Sequence, residues 1–162
     1  MDKETDMPQI VNCLWFDTQA EEAAKLYVSL FPNSRMGSVT RYPEGLPGER
    51  AGQVMTVDFE LDGVSFMGLN GGPMYRFSEA VSFQILVENQ AELDHYWNGL
   101  TGGGGEEGPC GWLKDRFGLS WQVVPKRMPE WMKNPQTGSK VAAAFMQMKK
   151  LDIGTLEQAA VG

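Results

Sequence analysis

One internal repeat limits what this chain can fold into more than any other feature. "TQAE" at Thr18–Glu21 recurs as "NQAE" at Asn89–Glu92, 71 positions on. "DGVSFM" at Asp62–Met67 recurs more loosely as "FGLSWQ" at Phe117–Gln122, 55 positions on. Both halves keep one order: an apolar strand, a helix-like stretch, then a strand entered through a Gly turn. Self-similarity that preserves order is the mark of a duplicated unit. Two copies point to a fused pair, not a solenoid.

Within the first copy, "IVNCLWF" (Ile10–Phe16) is short and apolar, which suits a buried strand. Cys13 lies inside it and reads as packing. Thr18 with Glu21 fits a capping box, and Ala23, Leu26, Tyr27 and Leu30 then share a helical face. Pro32 and Asn33 end that helix. "SRMGSVTRY" and "QVMTVDFEL" read as strands around a Pro/Gly loop. Asp62-Gly63 predicts a hairpin into "VSFMGLN". The second copy runs from "VSFQILVE" through a helix capped by Asn89, with Leu93, Trp97 and Leu100 on its apolar face. "TGGGGEEGPCG" reads as a loop, and "LSWQVVP" as the last strand. The tail carries helix-forming residues and a Met/Phe stripe, suited to docking on the core or on a second subunit.

These boundaries divide one domain, residues 1–162, into module one (about 8–72), module two (about 79–126) and a C-terminal helical extension (about 127–162). A length of 162 residues fits one medium domain or two small units sharing a core. The helix of each unit covers one sheet face. The other face is left for a partner sheet or a cavity, and two units together predict a cup fit for a small molecule.

A net charge of −7 argues against nucleic acid or an anionic membrane surface as partner. No apolar run is long enough to span a bilayer, and the N-terminus lacks the apolar core of a signal peptide. Two Cys make no disulfide framework, so reduced thiols and a cytoplasmic location are expected.

The text "LWFDTQAEEAAKLYVSLFPNS", "GVSFMGLNGGP", "AVSFQILVENQAELDHYW", "CGWLKDRFGLSWQVVP" and "MQMKKLDI" resembles the PhnB-like branch of the vicinal oxygen chelate superfamily. That branch is also labelled the 3-demethylubiquinone-9 3-methyltransferase domain. The superfamily holds glyoxalase I, extradiol dioxygenases and the bleomycin and fosfomycin resistance proteins. The resemblance implies an α+β fold in which two βαβββ modules form a curved mixed sheet (the glyoxalase/bleomycin resistance fold). It also implies a homodimer.

Superfamily members usually hold a divalent metal with a His on the first strand and a carboxylate or His on the last strand of each unit. The repeat locates the corresponding positions here: Val11, Met67, Ser82 and Gln122. That quartet lacks carboxylate, imidazole and thiolate, so no metal and no other cofactor is expected. Alternation puts Trp15 on the side of Val11. The ligand-binding cup then comprises Val11, Trp15, Met67, Ser82 and Gln122, apolar with a few neutral hydrogen-bonding groups, unless those side chains fill a closed core.

Other chemistry is sparse. His95, the only His, falls on the solvent side of its helix. Cys110 is a weak candidate nucleophile, needing a cation such as Lys114 or Arg116 to stabilise its thiolate; the competing reading is a structural Cys. Gly102–Gly105 lacks the Lys-Ser/Thr of a P-loop and follows a helix. The leading expectation is a module that binds a small apolar or neutral organic molecule. The alternative is a lyase-, isomerase- or transferase-like enzyme. Methyl transfer is disfavoured, because no doubly wound cofactor domain is present in the pattern.

Overall fold

The computed structural model describes residues 8–162. They fall into two compact units that meet between Arg76 and Phe77. The first contains β1 (Asn12–Phe16), α1 (Ala20–Leu30), β2 (Arg35–Arg41), β3 (Val54–Leu61) and β4 (Val64–Asn70). The second contains β5 (Phe83–Val87), α2 (Gln90–Thr101), β6 (Glu106–Glu107), β7 (Trp112–Lys114) and β8 (Ser120–Pro125), then α3 (Met128–Lys133), α4 (Pro135–Phe145) and α5 (Ile153–Val161).

Strand order is β1-β4-β3-β2 in the first unit and β5-β8-β7-β6 in the second. The first and last strand of each unit pair in parallel; the other pairs are antiparallel. The sequence offsets reappear as register. Cys13 pairs with Met67, and 71 and 55 residues on, Gln84 pairs with Gln122. Every β1–β4 pair maps onto a β5–β8 pair in this way, so the duplication is structural and in register. This is the two-module α+β architecture of the glyoxalase/bleomycin resistance fold, with a helical C-terminal end.

Each helix covers one sheet face. α1 buries Ala20, Ala23, Ala24 and Tyr27, while Leu26 and Leu30 sit only half-buried. The contact face is therefore rotated toward the alanines, and Tyr27 on it meets Phe59 of the Phe59–Phe66 stack, with centroids 6.2 Å and 5.3 Å apart respectively. α2 buries Leu93, Tyr96, Trp97 and Leu100, and the Trp97 indole donates to Glu107 over 2.8 Å, tying helix to β6.

Three local expectations meet different fates. Asn89 caps α2, accepting from the Glu92 amide over 2.9 Å. The Thr18/Glu21 capping box does not form: the first residue before α1 is Gln19, and the Ala20 amide is capped by the Asn70 side chain over 2.9 Å. A cap supplied from the end of β4, 50 residues away, has no local sequence signature. Asp62-Gly63 does turn β3 into β4, with φ of 47° and 79° in the left-handed region that a two-residue hairpin needs.

The segment read as a loop around Glu106 holds the short strand β6, paired to β7 through Glu106↔Lys114 and Glu107↔Leu113. Two Glu have little strand preference. Pairing and the indole bond of Trp97 place them. The tail docks on its own unit: the Gln90 side-chain amide donates to the Leu151 carbonyl (3.1 Å) and accepts from the Ile153 amide (2.9 Å).

Candidate functional site

Alternation fixes what stands opposite each helix. In the first unit Trp15, Cys13 and Val11 share a face with Met67 and with Asp58, the antiparallel neighbour of Met67. Met67 is half-buried between Cys13 and Asp58, and Val11 is 44% exposed one residue before β1. Cys13 is exposed on this face and is not packing, as its place in an apolar run suggested. The apolar pattern of β1 is carried by Leu14 and Phe16, which point at α1. Desolvation by surrounding protein pushes the Cys13 thiol above its ordinary pKa.

The Trp15 indole donates to the Gly72 carbonyl over 2.9 Å and meets Tyr75 edge-on, with centroids 5.0 Å apart. The two glycines of "NGGP" make this possible. A Cβ on Gly71 would stand 2.3 Å from the indole ring, and one on Gly72 would stand 2.5 Å from the Arg50 guanidinium. Gly71 is thus pressed against the indole, and Gly72 has a φ of 97°, in the left-handed region that favours glycine.

In the second unit the equivalent face carries hydrogen-bonding groups. Gln122 Nε2 donates to Ser82 Oγ over 2.8 Å, and Gln84 Nε2 donates to Gln122 Oε1 over 3.2 Å. Trp112 lies directly across from Gln122 on β7. Ser82 and Gln122, at the positions of Val11 and Met67, are joined to each other. Trp121 points the opposite way, 2% exposed, and donates to Asp115 Oδ2 over 3.0 Å.

A divalent ion would need charged oxygen, imidazole or thiolate donors at the four repeat-related positions. Val11 and Met67 offer none, and the neutral oxygens of Ser82 and Gln122 already accept hydrogen bonds. The donor set does not fit the metal of the wider superfamily. Among the described residues, no group of three or more His, Cys, Asp and Glu is arranged to hold an ion.

Cys110 borders a cleft of about 440 Å³ in the second unit, with Trp112, Lys114, Glu79, Glu106 and Ser120. Its backbone is left-handed, φ 59°, and its amide donates to the Met148 carbonyl over 2.8 Å. Lys114, one of the two cations that could serve its thiolate, is occupied elsewhere. Lys114 pairs with Glu79 at 2.5 Å, a bond that holds the lysine pKa up and the Glu79 pKa down. The Arg116 guanidinium lies against Gly103. His95 is exposed on α2.

Sequence reading passed over Asp115, which the turn organises around. It is 2% exposed, and its Oδ1 accepts from the amides of Phe117 (2.9 Å) and Leu119 (3.1 Å). An Asp two residues before Phe-Gly is a turn signal that could have identified it. Arg50, in the long Pro/Gly loop, was also missed, and no local pattern marks it.

Comparison with known proteins agrees with this architecture. The family model described as 3-demethylubiquinone-9 3-methyltransferase matches residues 8–124. The PhnB protein of Bacillus cereus is 31% identical over 73% of this chain and 99% of its own, with a TM-score of 0.63. A Pseudomonas aeruginosa protein, 21% identical over 74% of this chain and 98% of its own, superposes with a TM-score of 0.61. The fosfomycin resistance protein FosX of Listeria monocytogenes, solved with Mn(II) and sulfate, is 14% identical over 78% of this chain and 95% of its own, with a TM-score of 0.51. These last two likenesses concern the fold. No curated protein sequence matches the chain. With its duplicated register and a family match across both modules, the chain belongs to the PhnB-like 3-demethylubiquinone-9 3-methyltransferase domain family.

Proposed function

We propose that this protein binds a small apolar or neutral organic molecule on the sheet faces left uncovered by α1 and α2, without a metal of the superfamily type. The observation that carries this reading is the chemistry of the four repeat-related positions. Two are apolar, Val11 and Met67, and two are neutral polar groups bonded to each other, Ser82 and Gln122. Trp15 adds an aromatic surface. The face in the first unit favours apolar contact, and the face in the second offers a few orienting hydrogen bonds. Methyl transfer from a nucleotide-like cofactor finds no support in the strand order, which lacks a doubly wound parallel sheet.

The test is an equilibrium titration with a panel of neutral aromatic and aliphatic molecules, followed by Trp fluorescence, beside elemental analysis of purified protein. Saturable binding weakened by Met67→Ala or Gln122→Ala, with no stoichiometric metal after dialysis, supports the reading. One tightly held metal per chain overturns it. Turnover abolished by Cys110→Ala would shift the reading to an enzyme. We also read the protein as a cytoplasmic homodimer. Ile10 and Val81, at corresponding positions in the two units, are 90% and 65% exposed, apolar surface that an interface would cover. No helix among the described residues is long and apolar enough to cross a membrane.

A further inference from the structure

A second cleft, of about 380 Å³, lies within the first unit and is lined by Asp17, Thr18, Tyr42, Arg50, Asn70 and Gly72 among others. Its walls are held by the protein's own hydrogen bonds. The Tyr42 hydroxyl donates to the Asn70 carbonyl, and the Asn70 side chain donates to the Val54 carbonyl over 3.1 Å and caps α1 through Ala20. The loop bearing Arg50 is pinned at its base, where the Tyr42 amide donates to the Gln53 carbonyl and the Gly52 amide donates to the Tyr42 carbonyl, each over 2.9 Å.

Arg50 is the exception to this satisfaction. It is half-buried, and no carboxylate among the described residues pairs with it. Its guanidinium makes one long bond to the Tyr42 hydroxyl, 3.4 Å, and lies 5.6 Å from that ring's centroid. A guanidinium has five N–H donors in a rigid fork, and a half-buried one is stabilised by an anion that takes two of them at once. The missing side chain of Gly72 leaves room for the guanidinium, since a Cβ there would stand 2.5 Å from it.

We propose that this cleft binds the carboxylate group of a small organic acid through Arg50, with the Tyr42 hydroxyl beside it. The proposal goes beyond the neutral-ligand reading above and concerns different residues. A singly charged, planar carboxylate fits better than a phosphate dianion. Asp17 shares the cleft, makes no ion pair with Arg50, and adds repulsion that rises with ligand charge.

Calorimetric titration of the whole protein with benzoate, benzamide and inorganic phosphate tests it. Benzoate is expected to bind, benzamide not to bind detectably, and phosphate to bind more weakly than benzoate. Arg50→Gln should weaken benzoate by at least about tenfold, the loss of a charge-assisted bidentate pair. Asp17→Asn should tighten it, and Arg35→Gln, a surface change of equal charge, should leave it as it is. Circular dichroism melts confirm that each variant is folded. Benzoate binding equally well to Arg50→Gln, benzamide matching benzoate, phosphate exceeding it, or no benzoate binding at millimolar concentration would each overturn the proposal.

Discussion

The side-chain amide of Gln122 donates to the hydroxyl of Ser82 over 2.8 Å, closing two positions that the duplication relates to Met67 and Val11. A hydrogen-bonded neutral pair stands in one unit and an apolar pair in the other. Restoring charge should change what the surface holds. The double variant Ser82→His/Gln122→Glu is expected to gain measurable Mn(II) affinity by calorimetry, while the unmodified chain shows none. Equal Mn(II) binding by both proteins would show that these positions do not govern metal affinity.

Asp115 is expected to be among the most sensitive positions in the fold. Its carboxylate satisfies two backbone amides and the Trp121 indole in a dry turn. Asp115→Ala leaves those donors unpaired and should cost about 2–4 kcal/mol by urea denaturation, since each buried unmet donor carries a desolvation penalty. A loss below about 0.5 kcal/mol would mean the donors find other partners.

Acid should weaken the fold through identifiable pairs. Glu79 and Asp94 are held below their ordinary pKa chiefly by hydrogen bonds from Lys114 and Lys150. A depressed folded pKa contributes stability above the ordinary carboxylate value, and that contribution is lost as pH falls through the depressed value. Melting temperature should therefore decline below the ordinary carboxylate range. Glu79→Gln should flatten the decline slightly, because the pair is exposed and screened. An unchanged slope would remove Glu79 from the account. Lys114 works at the other end: its raised pKa contributes fully below the ordinary lysine value, and the gain disappears as pH rises through the raised one.

Cys13 offers a reporter of the open face. Its thiol is exposed yet held above its ordinary pKa by desolvation, so little thiolate forms near neutrality. In a Cys110→Ala background, alkylation by iodoacetamide should be slow at pH 7 and accelerate only above the ordinary thiol range. A ligand lying over Met67 should protect it. Rapid neutral-pH alkylation would contradict the desolvated environment.

Gly71 should tolerate no side chain. A Cβ there meets the Trp15 indole at 2.3 Å. Gly71→Ala is expected to displace the indole, shift Trp emission and destabilise by about 1–3 kcal/mol, the range for overpacking. A variant with native emission and stability would mean that the ring moves freely.

The sequence by itself determined the duplication, the matched order of elements in the two halves, and the neutral chemistry at Val11, Met67, Ser82 and Gln122. Those properties are written in order and residue type, which survive without coordinates. Tertiary structure alone decided the rest. It capped α1 with Asn70 instead of Thr18, turned Cys13 outward, engaged Lys114 with Glu79 and left Arg50 without a carboxylate among the described residues. Each of these depends on which side chains distant in sequence become neighbours, and a hydrogen bond or ion pair goes to whichever partner packing brings within about 3 Å.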